Sequence, residues 1–214
     1  MARAKAVPWT REHNLIALNI YGKLPFGKLH RSNPQIMDVA GKMGRTPNSL
    51  AMKLCNFAAL DPVLQARGIK GLSRYSKADV AIWEEFHANF AELALQSEEL
   101  LHQLYDAAAE EVLDFLDREA VRKEKAAAEP AIGGTDVLRT VKTRRGQQYF
   151  RQVVINAYGG QCCITGINIP RLLVASHICP WSDYTEGRLL PSNGLCLSAL
   201  HDAAFDSGLM TLDV

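Results

Sequence analysis

The chain of 214 residues lacks both a long apolar run and an N-terminal signal peptide. We therefore predict a soluble, cytoplasmic protein. It also lacks any Cys-x-x-Cys pair among its five cysteines, so no structural zinc ribbon is indicated, and the odd number argues against a disulfide framework. Four of the cysteines lie toward the end of the sequence: Cys162, Cys163, Cys179 and Cys196. We expect buried free thiols there, with a non-standard zinc site as the alternative.

A net charge of only +1 conceals three segments of very different charge. Residues 1–76 hold 12 basic and 3 acidic side chains, residues 77–119 hold 2 and 12, and residues 120–214 hold 10 and 8. A basic block suits contacts with phosphate, and local fields rather than total charge govern docking on DNA. The alternative is that the basic and acidic blocks neutralise each other within the protein or across a dimer.

The basic block at residues 1–76 is predicted to be a small helical domain. Thr10 opens the first helix, Asn33-Pro34 starts the second, and the turn Gly44-Arg45-Thr46 precedes a third over residues 48–59. Two helices joined by such a turn fit a helix-turn-helix element, and the opening Trp9-Thr10-x-Glu12 loosely resembles Myb-type DNA-binding domains. An ordinary helical bundle is the alternative. The side chains expected to point outward to DNA include Arg45, Asn48 and Lys53.

The acidic segment at residues 77–125 contains no Gly or Pro. Its apolar residues recur near helical spacing, so we predict one long acidic helix or a helical hairpin. Such a helix could serve as an arm that forms a homodimer, or as a core helix of the first domain. Residues 126–136, which include Gly133-Gly134, are predicted to be a linker.

A basic run follows the linker, with no acidic residue between Val137 and Arg151. It leads into a helix predicted over residues 147–158. The basic run is expected to contact the DNA phosphates, and the alternative is that its charges are merely solvated. The residues concerned are Arg139, Lys142, Arg144, Arg145 and Arg151.

Three polar residues near the end of the chain each follow a distinct local pattern. His177 comes after the apolar run at residues 171–175, which is predicted to be a short strand. Asn193 lies in a Pro-Ser-Asn-Gly turn, and His201 lies in a predicted helix capped by Ser198. Strand, turn, second strand and helix are expected to bring the three side chains toward one point.

The flanking residues make this pattern more specific. They include Tyr149-Phe150-Arg151, Cys163-Ile164-Thr165-Gly166, Ser176-His177-Ile178-Cys179-Pro180-Trp181, Asn193-Gly194-Leu195 and Phe205-Asp206-Ser207-Gly208-Leu209. Over roughly residues 145–214 the chain resembles the HNH (His-Asn-His) endonucleases, in particular bacterial restriction-type HNH proteins. The resemblance implies a ββα-metal nuclease domain, which we place at residues 137–214, and metal-dependent hydrolysis of a DNA phosphodiester bond.

The resemblance also implies a role for each residue of the triplet. His177 is the general base, since an imidazole can deprotonate water near neutral pH. Asn193 holds the loop and orients His177 through hydrogen bonds. His201 is a ligand of the divalent metal, which offsets charge on the scissile phosphate. We expect Mg²⁺, with Mn²⁺, Ni²⁺ or Zn²⁺ as alternatives.

The chain departs from the family pattern at Ser176. Many HNH enzymes have Asp, Glu or His at this position, as a second metal ligand, and a serine is a poor substitute. Either water takes that place, or a nearby carboxylate such as Asp202 or Asp206 does. We predict a metal site that includes His201 and Asp206.

The sequence therefore predicts an α+β protein, with an α-helical N-terminal domain, a long helix and a small ββα-metal nuclease domain. Its expected function is DNA cleavage, in restriction or defence. One alternative is a DNA-binding regulator that carries an inactive HNH remnant, and another is an interaction protein dominated by the long helix. Because residues 209–213 are apolar and strand-like, and HNH domains of this type usually continue further, we expect more chain after Val214.

Overall fold

The computed structural model describes residues 8–69, 71–72, 75–105 and 134–213, with side chains described from residue 143 onward in the last range. The chain divides into two compact units, Met1–Ala109 and Glu110–Val214. The predictions for the end of the acidic segment and most of the linker, residues 106–133, lie outside the described residues. None of the described helices combines the length and the apolar character needed to cross a membrane.

Helices make up the regular structure described in the first unit. They are α1 (Arg11–Lys23), α2 (Pro34–Lys42), α3 (Pro47–Leu60), α4 (Pro62–Ala66), α5 (Lys77–Ala88) and α6 (Phe90–Leu104), with a 3₁₀ turn at Phe26–Lys28. The predicted starts of α1, α2 and α3 are confirmed. The side chains of Thr10, Asn33 and Thr46 each accept a hydrogen bond from a backbone N–H group of the first helical turn.

A tight turn joins α2 to α3, as predicted. Gly44 adopts a left-handed φ of 64° after the end of α2, and the Arg45 N–H donates to the Ala40 carbonyl at 2.8 Å. The two helices pack on each other. Their fully buried apolar side chains are Ile36, Val39, Leu50, Leu54 and Phe57. DNA binding by this element stays a prediction.

The described part of the acidic segment forms two helices. Asn89, with φ −124° and ψ 43°, separates α5 from α6. The segment is predicted to be either one long helix or a helical hairpin. Its described part consists of two successive helices, so one continuous helix is excluded there. The apolar face of α6, which includes Leu93, Ala94 and Leu101, is buried, and α6 packs on α1. The described part of the apolar face is thus covered within the unit, and a homodimer formed through this segment stays a prediction.

The basic and acidic blocks neutralise each other inside the first unit. Lys23 Nζ donates to the two carboxylate oxygens of Glu98 at 2.8 and 2.6 Å, and both side chains are buried. Lys53 forms a second buried ion pair with Asp79. The prediction that Lys53 points outward to DNA is therefore wrong. Its ammonium group balances the buried Asp79 carboxylate instead.

The second unit contains a helix, a two-stranded sheet and a second helix. These are α7 (Gly134–Ala157), β1 (Leu173–His177), β2 (Gly194–Ser198) and α8 (Ala199–Asp206), with 3₁₀ turns at Pro170–Leu172 and Pro191–Asn193. The strands pair antiparallel, with Leu173 opposite Ser198 and His177 opposite Gly194. The predicted α+β class, with a small ββα domain near the end of the chain, is confirmed.

Two boundaries in this unit differ from the prediction. Helix α7 begins at Gly134, earlier than the expected residue 147, so the basic run belongs to the helix and not to its approach. Residues 135–157 contain one Gly and no Pro, so little in that stretch can interrupt a helix. The strand-like segment at residues 209–213 forms no strand in the described structure. The described sheet has two strands, and this segment is paired with neither of them.

Candidate functional site

The sheet and α8 position the three residues of the His-Asn-His pattern. His177 is the last residue of β1, and Asn193 directly precedes β2. His177 lies opposite Gly194 in the antiparallel pairing, so Asn193, the residue before Gly194, is also close to His177 in space. His201 lies in the first turn of α8, which Ser198 caps. The predicted strand–turn–strand–helix order is thus the observed one.

The His177 ring is held on two sides by aromatic rings. Phe150 of α7 stacks on it with 3.8 Å between centroids and 8° between planes, and Trp181 meets it edge to face at 5.5 Å. His177 Nε2 lies 2.9 Å from the backbone carbonyl of Arg188. A carbonyl can only accept, so Nε2 carries the proton and Nδ1 carries the lone pair. This is the tautomer in which Nδ1 can take a proton from water.

Gly194 explains how α7 comes so close to the sheet. A Cβ atom at this position would lie 2.4 Å from Val154 Cγ2 and 2.8 Å from Phe150 Cζ. Any other residue would push back the helix that carries the ring stacked on His177. The Asn-Gly pair is thus needed for packing as well as for the turn.

Asn193 fixes the loop that follows His177. Its side chain is buried, accepts from the Cys179 N–H at 2.8 Å and donates to the Cys179 carbonyl at 3.1 Å. Its own carbonyl accepts from the Ile178 N–H at 2.9 Å. These bonds tie together the two chain segments beside His177, which agrees with the positioning role implied for Asn193.

His201 is oriented by the residue that caps its helix. Ser198 Oγ lies 2.8 Å from His201 Nδ1 and also accepts from the His201 backbone N–H at 3.4 Å. If Nδ1 donates to Oγ, the lone pair of Nε2 is available to a cation. The half-buried ring is thereby suited to hold a metal through one nitrogen.

Comparison with known proteins agrees with this geometry. Residues 162–213, which include both strands and α8, match the sequence model of the HNH endonucleases. We call this matched segment the HNH domain. No curated protein and no solved structure matched the chain.

A carboxylate of the HNH domain lies near the unusual Ser176. Burial raises the pKa of Asp202, the Ser176 hydroxyl lowers it, and the charge of Asp206 raises it again, so that this pKa lies above its usual value. The buried Ser176 Oγ has no partner in good hydrogen-bond geometry, so its interaction with Asp202 is a loose one. The structure thus brings Asp202 to Ser176, while the predicted ligand Asp206 is exposed at the end of α8.

The donors near His201 fit an open metal site. Within the part of the chain that the structure describes, no three His, Cys, Asp or Glu side chains converge on one point. His201 and at most one carboxylate would therefore share a cation with water and substrate oxygens, an arrangement that Mg²⁺ and Mn²⁺ accept readily. A closed structural zinc site would need four converging ligands.

The predicted DNA-contacting residues differ in their surroundings. Arg144 of α7 is exposed, Arg145 and Arg151 are half-buried, and the side chains of Arg139 and Lys142 lie outside the described ones. In the first unit Asn48 is exposed. Arg45 lies over the Trp9 ring, with its Cζ 3.9 Å from the ring centroid, and donates to the Pro8 carbonyl at 2.7 Å.

The cysteines are free thiols, as expected, although Cys163 and Cys179 are exposed, contrary to the prediction that they are buried. Cys162 and Cys196 are buried. Burial opposes ionisation of Cys162, but hydrogen bonds from the Thr165 hydroxyl and from three backbone N–H groups lower its pKa to about 6. One of these N–H groups belongs to Ser198, which caps α8.

Sequence reasoning missed Arg188 altogether. Its carbonyl orients His177, and its guanidinium Cζ lies 5.0 Å from the centroid of the Trp181 ring. Phe150 and Trp181 were noted only as flanking residues, without a role. Aromatic residues beside a candidate base are a usable signal, whereas a single arginine in a loop carries none.

Proposed function

We propose that this protein is a divalent-metal-dependent endonuclease that hydrolyses phosphodiester bonds of DNA. The observation that carries the proposal is the 2.9 Å contact between His177 Nε2 and the Arg188 carbonyl, because it selects the tautomer whose Nδ1 can accept a proton. The HNH endonuclease domain supports a nuclease-type function and DNA as the substrate.

In the proposed reaction, His177 Nδ1 takes a proton from a water molecule as its oxygen attacks the phosphorus. The P–O bond to the leaving oxygen breaks, and that oxygen is then protonated. Stacking on Phe150 keeps the imidazole ring in place, and the two Asn193 side-chain bonds fix the adjacent loop. A base held in this way needs little reorganisation in the transition state.

His201, together with Asp202 or Asp206, would hold the metal. When bound, a divalent cation neutralises charge on the scissile phosphate and the leaving oxygen. Mg²⁺ is the first choice for a site with carboxylate ligands and room for water, and Mn²⁺, Ni²⁺ and Zn²⁺ are the alternatives.

Phosphate contacts would come from the basic residues of α7. Arg144 is exposed there, and Arg145 has a buried Nε that meets no partner in the described structure. Arg139, Lys142 and Arg151 belong to the same proposed set, and Arg45 and Asn48 would contribute from the first unit. A role in restriction or defence is the setting proposed for such an enzyme.

A DNA-binding regulator with an inactive HNH domain is the second candidate. Ser176 favours it, since a buried serine replaces a residue that usually ligates the metal. Asp202 favours the enzyme, because its carboxylate lies beside Ser176 and could replace the missing metal ligand.

Cleavage of supercoiled plasmid separates the two candidates. The protein would be incubated with plasmid in EDTA and in Mg²⁺, Mn²⁺, Ni²⁺ or Zn²⁺, beside a His177→Ala/His201→Ala double variant purified identically to exclude a contaminating nuclease. We expect nicked or linear product with at least one metal, none in EDTA and none from the variant. Plasmid binding without cleavage in all four metals would instead identify the regulator.

A further inference from the structure

We propose that the Arg188 guanidinium binds the phosphate on which His177 acts, so that Arg188 is a further catalytic residue of this site. This inference rests on the proposed function and assigns a residue that the His-Asn-His pattern does not include. It is carried by the position of the arginine, by the support of its side chain and by a buried donor that lacks a partner.

The backbone of Arg188 is fixed at the general base. Its carbonyl accepts the proton of His177 Nε2 at 2.9 Å, which places the two residues in direct contact across the loop between β1 and β2. Gly187 lets the Tyr184 ring lie against the backbone just before Arg188, since a Cβ there would lie 1.9 Å from Cε1 of that ring. The arginine thus enters the site at a defined point.

Trp181 contacts both the Arg188 side chain and the His177 ring. The guanidinium Cζ lies 5.0 Å from the Trp181 ring centroid, and that ring lies 5.5 Å from the His177 ring. A guanidinium over an aromatic face is attracted to it and still has its in-plane N–H groups for a ligand. Aromatic support of this kind holds a long side chain ready and lowers the entropic cost of binding.

The charge of Arg188 is not neutralised by the surrounding protein. None of the ion pairs among the described residues includes it. Its Nε is buried and has no hydrogen-bond partner in the described structure. A buried donor without an acceptor costs free energy. The oxygens of a phosphodiester bound at His177 would supply that acceptor.

Contact with the scissile phosphate predicts an effect on the rate of the chemical step. Negative charge grows on the phosphate oxygens as water attacks, so a cation held there stabilises the transition state more than the bound substrate. An arginine that touched only a neighbouring phosphate would change affinity and leave the single-turnover rate unchanged.

The test uses single-turnover plasmid cleavage at saturating protein, with the metal that supports the fastest cleavage. Arg188→Ala and Arg188→Met both remove the charge, and methionine retains an apolar stem against Trp181 in case alanine disturbs the fold. Each should cut about 10²–10³-fold more slowly than the parent, the range found for loss of one preorganised donor. Added guanidinium chloride at millimolar concentration should restore part of the rate of Arg188→Ala.

Arg171→Ala is the matched control, since Arg171 is an exposed arginine of the same unit. It loses the same charge and should retain the parent rate within about threefold, with no response to guanidinium. A parent-like rate in Arg188→Met, or equal losses in the Arg188 and Arg171 variants, would overturn the proposal while the proposed function stands.

A second measurement tests the phosphate contact of Arg188 by itself, so that it can still be refuted if the parent cuts nothing and the proposed function fails. Binding of a 30-base-pair mixed-sequence duplex in EDTA would be titrated with salt. Loss of one phosphate contact should flatten the log–log slope by about 0.9 in Arg188→Met. A slope equal to that of the parent would show that Arg188 does not touch phosphate.

Discussion

The two units of this protein hold their charged groups in opposite ways. In the first unit, Lys23 and Lys53 are buried and paired with Glu98 and Asp79. In the described part of the second unit, Arg145 and Arg188 each have a buried Nε with no partner, and no ion pair includes either residue. The two lysines are thus neutralised within their own unit, whereas the two arginines each keep a buried donor that the described protein does not satisfy. A count of basic residues does not reveal this difference, because it does not distinguish buried, paired lysines from arginines whose donors lack a partner.

The largest effect should come from breaking a buried pair of the first unit. Lys23→Met leaves the Glu98 carboxylate buried without its partner, and loss of one partner of such a pair costs about 3–5 kcal/mol. Urea unfolding measures the change. The double variant Lys23→Met/Glu98→Leu is the control and should recover most of the loss. A cost below about 1 kcal/mol for Lys23→Met would show that the pair does not stabilise this unit.

The second pair makes the stability of the first unit depend on pH. Burial opposes ionisation of Asp79, but Lys53 and Ser76 bind its carboxylate and lower its pKa below 3.8. A carboxyl group whose pKa is lower in the folded protein stabilises the fold at any pH above its pKa in the unfolded chain. This stabilisation disappears as the pH falls through its pKa in the folded protein. Asp79→Asn should therefore cost about 3 kcal/mol at pH 7 and progressively less below about pH 4. Urea unfolding of both proteins from pH 7 to pH 3 checks this, and a difference independent of pH would contradict it.

Much of the fold could be predicted from the sequence, whereas the contrast in charge could not, for a physical reason. Caps such as Thr10, Asn33 and Ser198 are local signals, so the starts of α1, α2 and α8 follow from a few adjacent residues. The placement of His177 and Asn193 also follows, because strand, turn and strand are short. Pairing of Lys53 with Asp79, 26 residues away, depends on how helices pack. Proximity of Arg188 to His177 depends on a loop of irregular backbone, for which the sequence carries no periodic signal.

In the second unit, a change at His201 should alter the response to metal. If His201 is a ligand, His201→Ala should raise the metal concentration needed for half-maximal cleavage at least tenfold, since even loss of an outer-shell partner costs about 10–100-fold. High metal should restore part of the rate, because carboxylate and substrate ligands persist. Metal titrations of cleavage compare variant and parent. Superimposable curves would exclude the ligand role.

The smallest effect concerns the basic residues of α7. Arg144→Ala/Arg145→Ala should weaken binding to all DNA sequences alike and flatten the log–log salt dependence by roughly two, at about 0.9 per phosphate contact. Salt-titrated binding in EDTA measures the slope without cleavage. Arg67→Ala/Arg31→Ala, two exposed arginines of the first unit, is the matched control. An unchanged salt dependence in the α7 variant would show that Arg144 and Arg145 do not contact phosphate.

The general base of the HNH domain gives the most direct test of the whole account. Single-turnover cleavage of plasmid by His177→Ala would be compared with the parent at saturating protein, with DNA affinity measured alongside in EDTA. Because a positioned base contributes about 10²–10⁴-fold, the variant should lose that factor in rate and keep its affinity. A His177→Ala protein that cuts at the parent rate would contradict the assignment of His177, and with it the mechanism proposed for this site.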